Sequence, residues 1–261
     1  FQSALYVPQA GVVDYKVVSE MIAKKFLSLG GTIKYFQKIK TINTENNLKV
    51  LTSDKETFKS EFLINCAGLF SDTVAELDNI KPDLRIIPFR GEYYVLSQEK
   101  AYLVNNMIYP ISDPNLPFLG IHLTKTVDGQ IEAGPNAVLA FAKEGYKWSN
   151  INISEFMKTI SYKGMWKLGK QYLGTGVSEM YRSLNKRVFL KEILNYIPDV
   201  RLSDLKPRVA GVRAQAVSSN GDLIDDFVFE DGNNSLHVLN APSPAATASL
   251  AIGEYIAAKV S

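Results

Sequence analysis

Three stretches of this sequence carry residue types that can do chemistry. Between Pro207 and Val217, strand alternation groups Gly211, Arg213 and Gln215 on one face, opposite Ala210, Val212, Ala214 and Ala216. An arginine beside a glycine and opposite so apolar a face suits the two parallel hydrogen bonds of a carboxylate. A buried ion pair with Asp225, Asp226 or Glu92 is the alternative. Between Phe118 and Thr124, His122 shares its face with Gly120, so it stands beside a missing side chain, where a ligand finds room. Near the C-terminus, an apolar strand from Leu236 to Leu239 runs into a polar elbow at Asn240. Ser243 then reads as a helix N-cap, with Pro244 on the first helical position. The next backbone N–H groups, those of Ala245, Ala246 and Thr247, lack earlier carbonyls and lie under small side chains, a setting for an anionic or electron-accepting group. From there to Tyr255 the helix is small or apolar nearly all round, which predicts burial on several sides. A tightly packed core helix is the plainer account.

The elements that must position these residues read as follows. Residues 4–11 form a short strand and turn, and Asp14 caps a helix to about Leu29 with Val17, Val18, Met21, Ile22, Phe26 and Leu29 at helical spacing. Strands follow at Thr32–Ile39, at Leu48–Thr52 and in the run ending Asn65–Cys66–Ala67–Gly68, where small residues let a cofactor or another backbone come close. Gly68 as an ordinary turn residue is the alternative. A helix starts near Ser71. Arg85–Leu96 reads as one long strand, with Arg90, Glu92 and Tyr94 on one face and Phe89, Gly91, Tyr93 and Val95 on the other; Pro88 implies an edge position or a bulge. Asp128–Gly129 and Asn220–Gly221 are hairpin turns, the second leading into a strand from Leu223 to Phe229. Residues 153–197 read as helical and basic, with Lys163, Lys167, Lys170, Arg182, Lys186, Arg187 and Lys191 among Trp148, Trp166, Tyr172 and Tyr181. That surface is either a solvated outer face or one that rests on a membrane. The implied fold class is mixed α/β, rich in antiparallel strands.

Composition narrows the function classes. A chain of 261 residues that is 46% hydrophobic can build one large core or two modest ones. A net charge of +2 gives no reason to expect nucleic acid. The single cysteine, Cys66, excludes an internal disulfide and fits a reducing, cytoplasmic setting. Two histidines and one cysteine, scattered, give no metal-ligand cluster. No apolar run reaches the roughly 18 residues of a spanning helix.

Taken together, several stretches resemble the flavin-dependent oxidoreductases of the D-amino-acid oxidase type. Residues 8–15 with their helix are similar to the start of that family's substrate domain, and Ile64–Asp72 to the strand returning to its flavin domain. More narrowly, residues 88–94, 117–124, 210–216 with 225–227, and 240–247 resemble the branch that oxidises L-2-hydroxyglutarate. The resemblance implies FAD as cofactor and a small hydroxy acid as substrate. It places Cys66, Ala67, Gly68, Asn240, Pro242, Ser243, Pro244, Ala245 and Ala246 near the flavin, and Gly91, Tyr93, Arg213 and Gln215 on the substrate side, with His122 as catalytic base. Residues 1–31 would open the substrate domain, 32–80 belong to a partial, Rossmann-like FAD-binding segment, 81–207 to the substrate domain, and 208–261 return to the FAD side.

One departure is large. The family's Gly-x-Gly-x-x-Gly turn, which seats the ADP part of FAD, has no counterpart here. The expectation is therefore a C-terminal part of the enzyme, inactive and unable to hold FAD tightly by itself, with the true base in this chain or in the absent part. A flavin oxidises an alcohol by taking hydride from carbon while a base removes the hydroxyl proton. Oxygen and a membrane quinone both remain open as final acceptor, the latter with a peripheral place at the inner membrane. Other readings also stay open: an amino-acid or glycerol-3-phosphate oxidase of the same family, or a non-catalytic carboxylate-binding domain.

Overall fold

The computed structural model describes residues 4–111, 120–242 and 244–260. Helix α1 (Tyr15–Ser28) starts where its cap predicts: the Asp14 carboxylate accepts the Lys16 N–H at 2.8 Å. None of its residues is buried, so its apolar stripe meets little of this chain. The strand expected at 32–39 does not form. Residues 31–38 carry no strand, Phe36 sits at φ 57°, and pairing begins only at Ile39. A strand pattern without a neighbour to take its backbone groups stays unpaired.

From there the chain makes β1 (Ile39–Glu45), β2 (Leu48–Ser53), β3 (Thr57–Ser60), β4 (Leu63–Asn65) and the short helix α2 (Ser71–Leu77). The strand read at Arg85–Leu96 is two strands, β5 (Leu84–Gly91) and β6 (Tyr94–Leu96). They part at Glu92, whose N–H donates to the Asn136 side-chain oxygen at 2.8 Å. Next come β7 (His122–Lys125), β8 (Ile131–Gly134) and β9 (Val138–Leu139), followed by helices α3 (Ile153–Ile160), α4 (Lys163–Gln171), α5 (Leu173–Leu184) and α6 (Lys186–Ile193). The last elements are β10 (Leu205–Pro207), β11 (Gly211–Ser218), β12 (Val228–Gly232), β13 (Ser235–Asn240) and α7 (Ser249–Val260).

Among the described residues there are four small sheets, ordered β1-β2-β3, β10-β6-β8-β7, β11-β5-β9 and β12-β13-β4. All pairings are antiparallel except β13 with β4. β11 pairs with β5 along its whole length, so hydrogen bonding crosses the expected boundary at 207. β5 is therefore a central strand, not the edge that Pro88 suggests. The Pro88 carbonyl accepts the Ala140 N–H at 2.9 Å, just past the two-residue β9, so the missing donor falls where that ladder ends.

Both predicted turns form, with Gly129 at φ 79° and Gly221 at φ 92°. The strand expected after the second, Leu223–Phe229, is reduced to one bridge at Leu223, and β12 begins only at Val228 in another sheet. Side-chain amides take the place of a ladder here. Gln215 Nε2 donates to the Ile224 carbonyl (3.2 Å), and Asn240 Nδ2 to those of Ile224 (3.1 Å) and Asp226 (2.7 Å).

The largest core cluster sets Phe189, Ile193 and Ile197 against Leu96, Ile121, Leu123, Ile131 and Leu205. A second joins Ala75 to Leu84, Ile86, Ala216 and Leu239. α4 crosses the end of β11 at Gly164, where an added Cβ would lie 2.1 Å from the Ser218 carbonyl oxygen. Gly164→Ala should therefore lower stability by about 1–3 kcal/mol, read by urea unfolding, despite alanine's better helix propensity. A stabilised variant would contradict this close crossing.

Candidate functional site

The parallel pair fixes one end of the site. Ser235, Leu236 and His237 lie opposite Leu63, Ile64 and Asn65, so β4 and β13 deliver their carboxyl ends to the same edge. Open α/β sheets bind ligands beyond the carboxyl ends of their strands. Here β4 gives way to Cys66–Ala67–Gly68, all exposed, and β13 to Asn240 and Pro242. Gly68 has φ 54° with nothing within 4 Å of where a Cβ would stand, so a ligand can approach the backbone. The two outlets are tied together: Ser71 Oγ donates to the Leu239 carbonyl at 3.0 Å. Partial burial pushes the Cys66 thiol up, so it stays protonated. Only Asn65 of β4 is buried, a shorter buried run than the sequence suggests.

The C-terminal helix differs from expectation in two ways. Pro244 is not its first helical residue; at φ −99° and ψ 68° it precedes a 3-10 turn, Ala245–Ala248, which leads into α7. The Thr247 N–H (3.2 Å) and hydroxyl (2.7 Å) both satisfy the Pro244 carbonyl, which tightens this first turn. The expected N-cap, Ser243, lies outside the described residues. Nor is the helix buried on several sides. Ile256 alone is buried, Ile252 and Val260 join it against Leu236 and Val238, and Leu250 is 75% exposed.

Beneath the Cys66–Gly68 turn lies a fully buried polar group. Asn65 Oδ1 accepts the Ala67 N–H (3.1 Å), while its Nδ2 donates to the Ser71 carbonyl (2.9 Å) and to His237 Nδ1 (3.0 Å). His237 Nε2 faces Asp78 Oδ2 at 3.1 Å, Ser235 Oγ donates to the same oxygen (2.6 Å), and Lys49 pairs with Oδ1. Burial alone would raise the Asp78 carboxyl. Hydrogen bonds from Lys49, Ser235 and His237, with the lysine's charge, outweigh it and hold the carboxyl below its usual range. The sequence shows His237 only as a polar residue in an apolar strand, so its partners were not readable there.

The other end of the site lies on the β11–β5 sheet. Gly211 pairs with Gly91 and Arg213 with Phe89, so all four share a face. The Tyr93 ring lies over Gly211, whose Cβ position is 3.9 Å from Tyr93 Cε2. Burial pushes the Tyr93 hydroxyl up, the Glu132 charge adds to this, Arg213 opposes it and Tyr109 adds slightly. Tyr109, which sequence reasoning missed, stacks on His122 with ring centroids 4.4 Å apart and planes at 20°. The Tyr93 ring also lies against Gly134, the register partner of His122. Arg213 and Tyr109 are exposed, whereas His122 and Tyr93 are half-buried.

Two expectations change here. The room predicted beside His122 is occupied by the Tyr109 ring, with Pro110 3.4 Å from the Cβ position of Gly120. Gly91 is glycine for packing rather than for a ligand: a Cβ there would meet Pro135 Cβ at 2.7 Å. Gln215 commits its Nε2 to the Ala216 and Ile224 carbonyls, so it braces the following segment. Glu92, one alternative partner for Arg213, is engaged by Arg90 (2.7 Å), Trp148 Nε1 (2.8 Å) and the Ser183 hydroxyl, with Arg90 stacked over Trp148 at 3.9 Å. His122 Nδ1 lies 3.3 Å from the Gly120 carbonyl, an obligate acceptor, so Nδ1 carries the proton and Nε2 keeps its lone pair. Burial pulls His122 below its ordinary value, against a smaller upward pull from that carbonyl, so the ring is neutral at pH 7.

Comparison with known proteins identifies the family and the fold. L-2-hydroxyglutarate dehydrogenase of Indibacter alkaliphilus is 50% identical over 252 residues, covering 96% of this chain and 63% of the relative. The Escherichia coli K12 protein of that name is 42% identical over 257 residues, covering 98% and 61%. The mitochondrial one of Caenorhabditis elegans is 43% identical over 263 residues, covering 97% and 61%. The chain thus spans somewhat over three-fifths of these relatives. Among solved structures, FAD-bound L-alpha-glycerophosphate oxidase of Mycoplasma pneumoniae superposes with a TM-score of 0.64 at 19% identity, over 90% of this chain and 52% of that one. L-proline dehydrogenase from P. horikoshii gives 0.56 at 16%, over 91% and 52%. Both share the fold. The family model of the FAD dependent oxidoreductases (DAO) matches residues 1–259, and the chain belongs to that family.

Proposed function

We propose that the full-length protein oxidises L-2-hydroxyglutarate to 2-oxoglutarate with FAD as cofactor. Two observations support the reading: Arg213 shares a strand face with Gly211, over which the Tyr93 ring lies, and a neutral His122 ring stacks on Tyr109. The residues at the other end suit FAD, because an exposed turn with an open Gly68 follows one of two parallel strands and the small Ala245 and Ala246 come a few residues after the other. Residues 32–80 and 219–261 would form this flavin side, and Cys66–Gly68 and Pro242–Ala246 would line it. When bound, FAD supplies a two-electron sink.

Arg213 binds the substrate carboxylate and so aims the C2 hydrogen at the flavin side. His122 accepts the hydroxyl proton at Nε2 as the C2–H bond gives up its electron pair, leaving the ketone. The Ala245 and Ala246 N–H groups oppose negative charge that builds beside them. Tyr109 holds the imidazole plane, and Tyr93 covers the floor at Gly211.

For the electrons' onward path we favour a membrane quinone. Ile153, Met157, Trp166 and Tyr181 are exposed along α3–α5 among Lys163, Lys167 and Lys170, a composition suited to a membrane surface. Among the described residues no helix is long and apolar enough to cross a membrane.

Anaerobic mixing of the full-length flavoprotein with L-2-hydroxyglutarate should bleach its flavin band, while the D-enantiomer should leave it unchanged. A band that bleaches with glycerol 3-phosphate but not with L-2-hydroxyglutarate would end the proposal. Reoxidation faster with a short-chain quinone than with oxygen supports the quinone, and the reverse removes it.

A further inference from the structure

The buried Lys49–Asp78–His237–Asn65 group plays no part in hydride transfer, yet it ends on the turn assigned to the flavin. Its hydrogen bonds determine one protonation state. Asn65 Oδ1 is committed to the Ala67 N–H, so the nitrogen facing His237 Nδ1 at 3.0 Å is a donor. His237 Nδ1 must therefore be a bare lone pair, and its proton sits on Nε2, donated to Asp78 at 3.1 Å. A second proton would set N–H against N–H. Turning the Asn65 amide over to relieve this would give up both Ala67 N–H and the Ser71 carbonyl.

His237 is fully buried, and the groups facing it are Asn65 from β4, Asp78 at the end of α2, Lys49 from β2 and Glu230, its register partner on β12. Lys49 balances Asp78 and Glu230 is half-buried, so the hydrogen bonds to Asn65 and Asp78, rather than net charge, fix the state of the ring.

We propose that His237 is a positioning residue and a proton-sensitive latch on the Cys66–Gly68 turn: only its neutral ring lets Asn65 hold that turn in the shape offered to FAD. The inference rests on the reading that this turn receives the flavin. Linkage has a definite sign. The latched state requires the neutral imidazole, so a proton bound at Nδ1 opposes latching and acid favours release.

The test uses the full-length holoenzyme, with FAD dissociation followed by flavin fluorescence from about pH 8 down to about pH 5. Wild-type affinity should fall by about tenfold per pH unit on the acid side. His237→Gln offers an amide oxygen to Asn65 and an amide N–H to Asp78, so it should bind FAD as wild type near neutrality and lose that slope. Exchange protection of the Ala67 amide reads the latch without reference to flavin, and should drop on the acid side in wild type but not in His237→Gln. The same pH dependence of Ala67 protection in both proteins overturns the latch. Protection that follows His237 while FAD affinity does not overturns the placement of this turn on the flavin. If His237→Gln fails to fold, nitrogen NMR of the wild-type imidazole decides: a bare Nδ1 at neutral pH supports the latch, and a protonated Nδ1 sinks it.

Discussion

Arg213→Ala in the full-length protein should lower kcat/KM for L-2-hydroxyglutarate by about 2–5 kcal/mol of transition-state stabilisation, a factor of roughly thirty to several thousand. The size follows from truncating one partner of a charge-assisted pair while leaving the other unpaired. Arg213→Lys keeps the charge but loses the planar fork, and should fall between wild type and alanine. Because Arg213 is exposed and its strand is held by the β5 ladder, neither change should shift the unfolding midpoint noticeably. Steady-state kinetics beside a thermal melt separate these effects. Undiminished kcat/KM would remove Arg213 from the site, and with it the structural reason for a carboxylate substrate.

His122→Gln should act on rate rather than binding, lowering kcat by about 10²–10⁴ with little change in KM, the usual contribution of a positioned base. The pH profile carries a separate signature. The base must be neutral to work, so activity falls as pH drops through its folded value. Burial pulls that value down, so the acid limb of kcat should lie below the ordinary histidine pKa of about 6.5. An acid limb that survives unchanged in His122→Gln would assign the base elsewhere.

What the sequence showed and what it hid divide along local and non-local lines. The Asp14 cap and the Asp128–Gly129 turn depend on neighbours a few residues away, and both were readable. The same patterning misled at 32–38 and along α7, where strand or burial requires a partner surface that this chain does not present. Alternation along β5 and along β11 was readable because it is local, whereas the pairing that sets Gly91 opposite Gly211 and Phe89 opposite Arg213 was not. Why position 91 is glycine was hidden as well, since Pro135 comes from another segment. Tyr109 carried no pattern at all. It reaches His122 only because Ile108 bridges to Leu123. The roles of Asn65 and His237 were equally hidden, since each side chain is explained only by the other.

That last pairing has a kinetic side. Asn65 and His237 are 172 residues apart, and β4 has no ladder partner other than β13 in its sheet. During synthesis at roughly 5–20 residues per second, the turn after β4 waits about 10–30 s before its partner strand is even made. Contacts of such long separation slow folding, because loop closure must come before the pairing that rewards it. The β4–β13 end of the molecule should therefore be the last to order on the ribosome, well after the β1-β2-β3 meander. Pulse-labelled nascent chains stalled before residue 235 should protect the β2 amides while leaving those of 63–68 open to exchange.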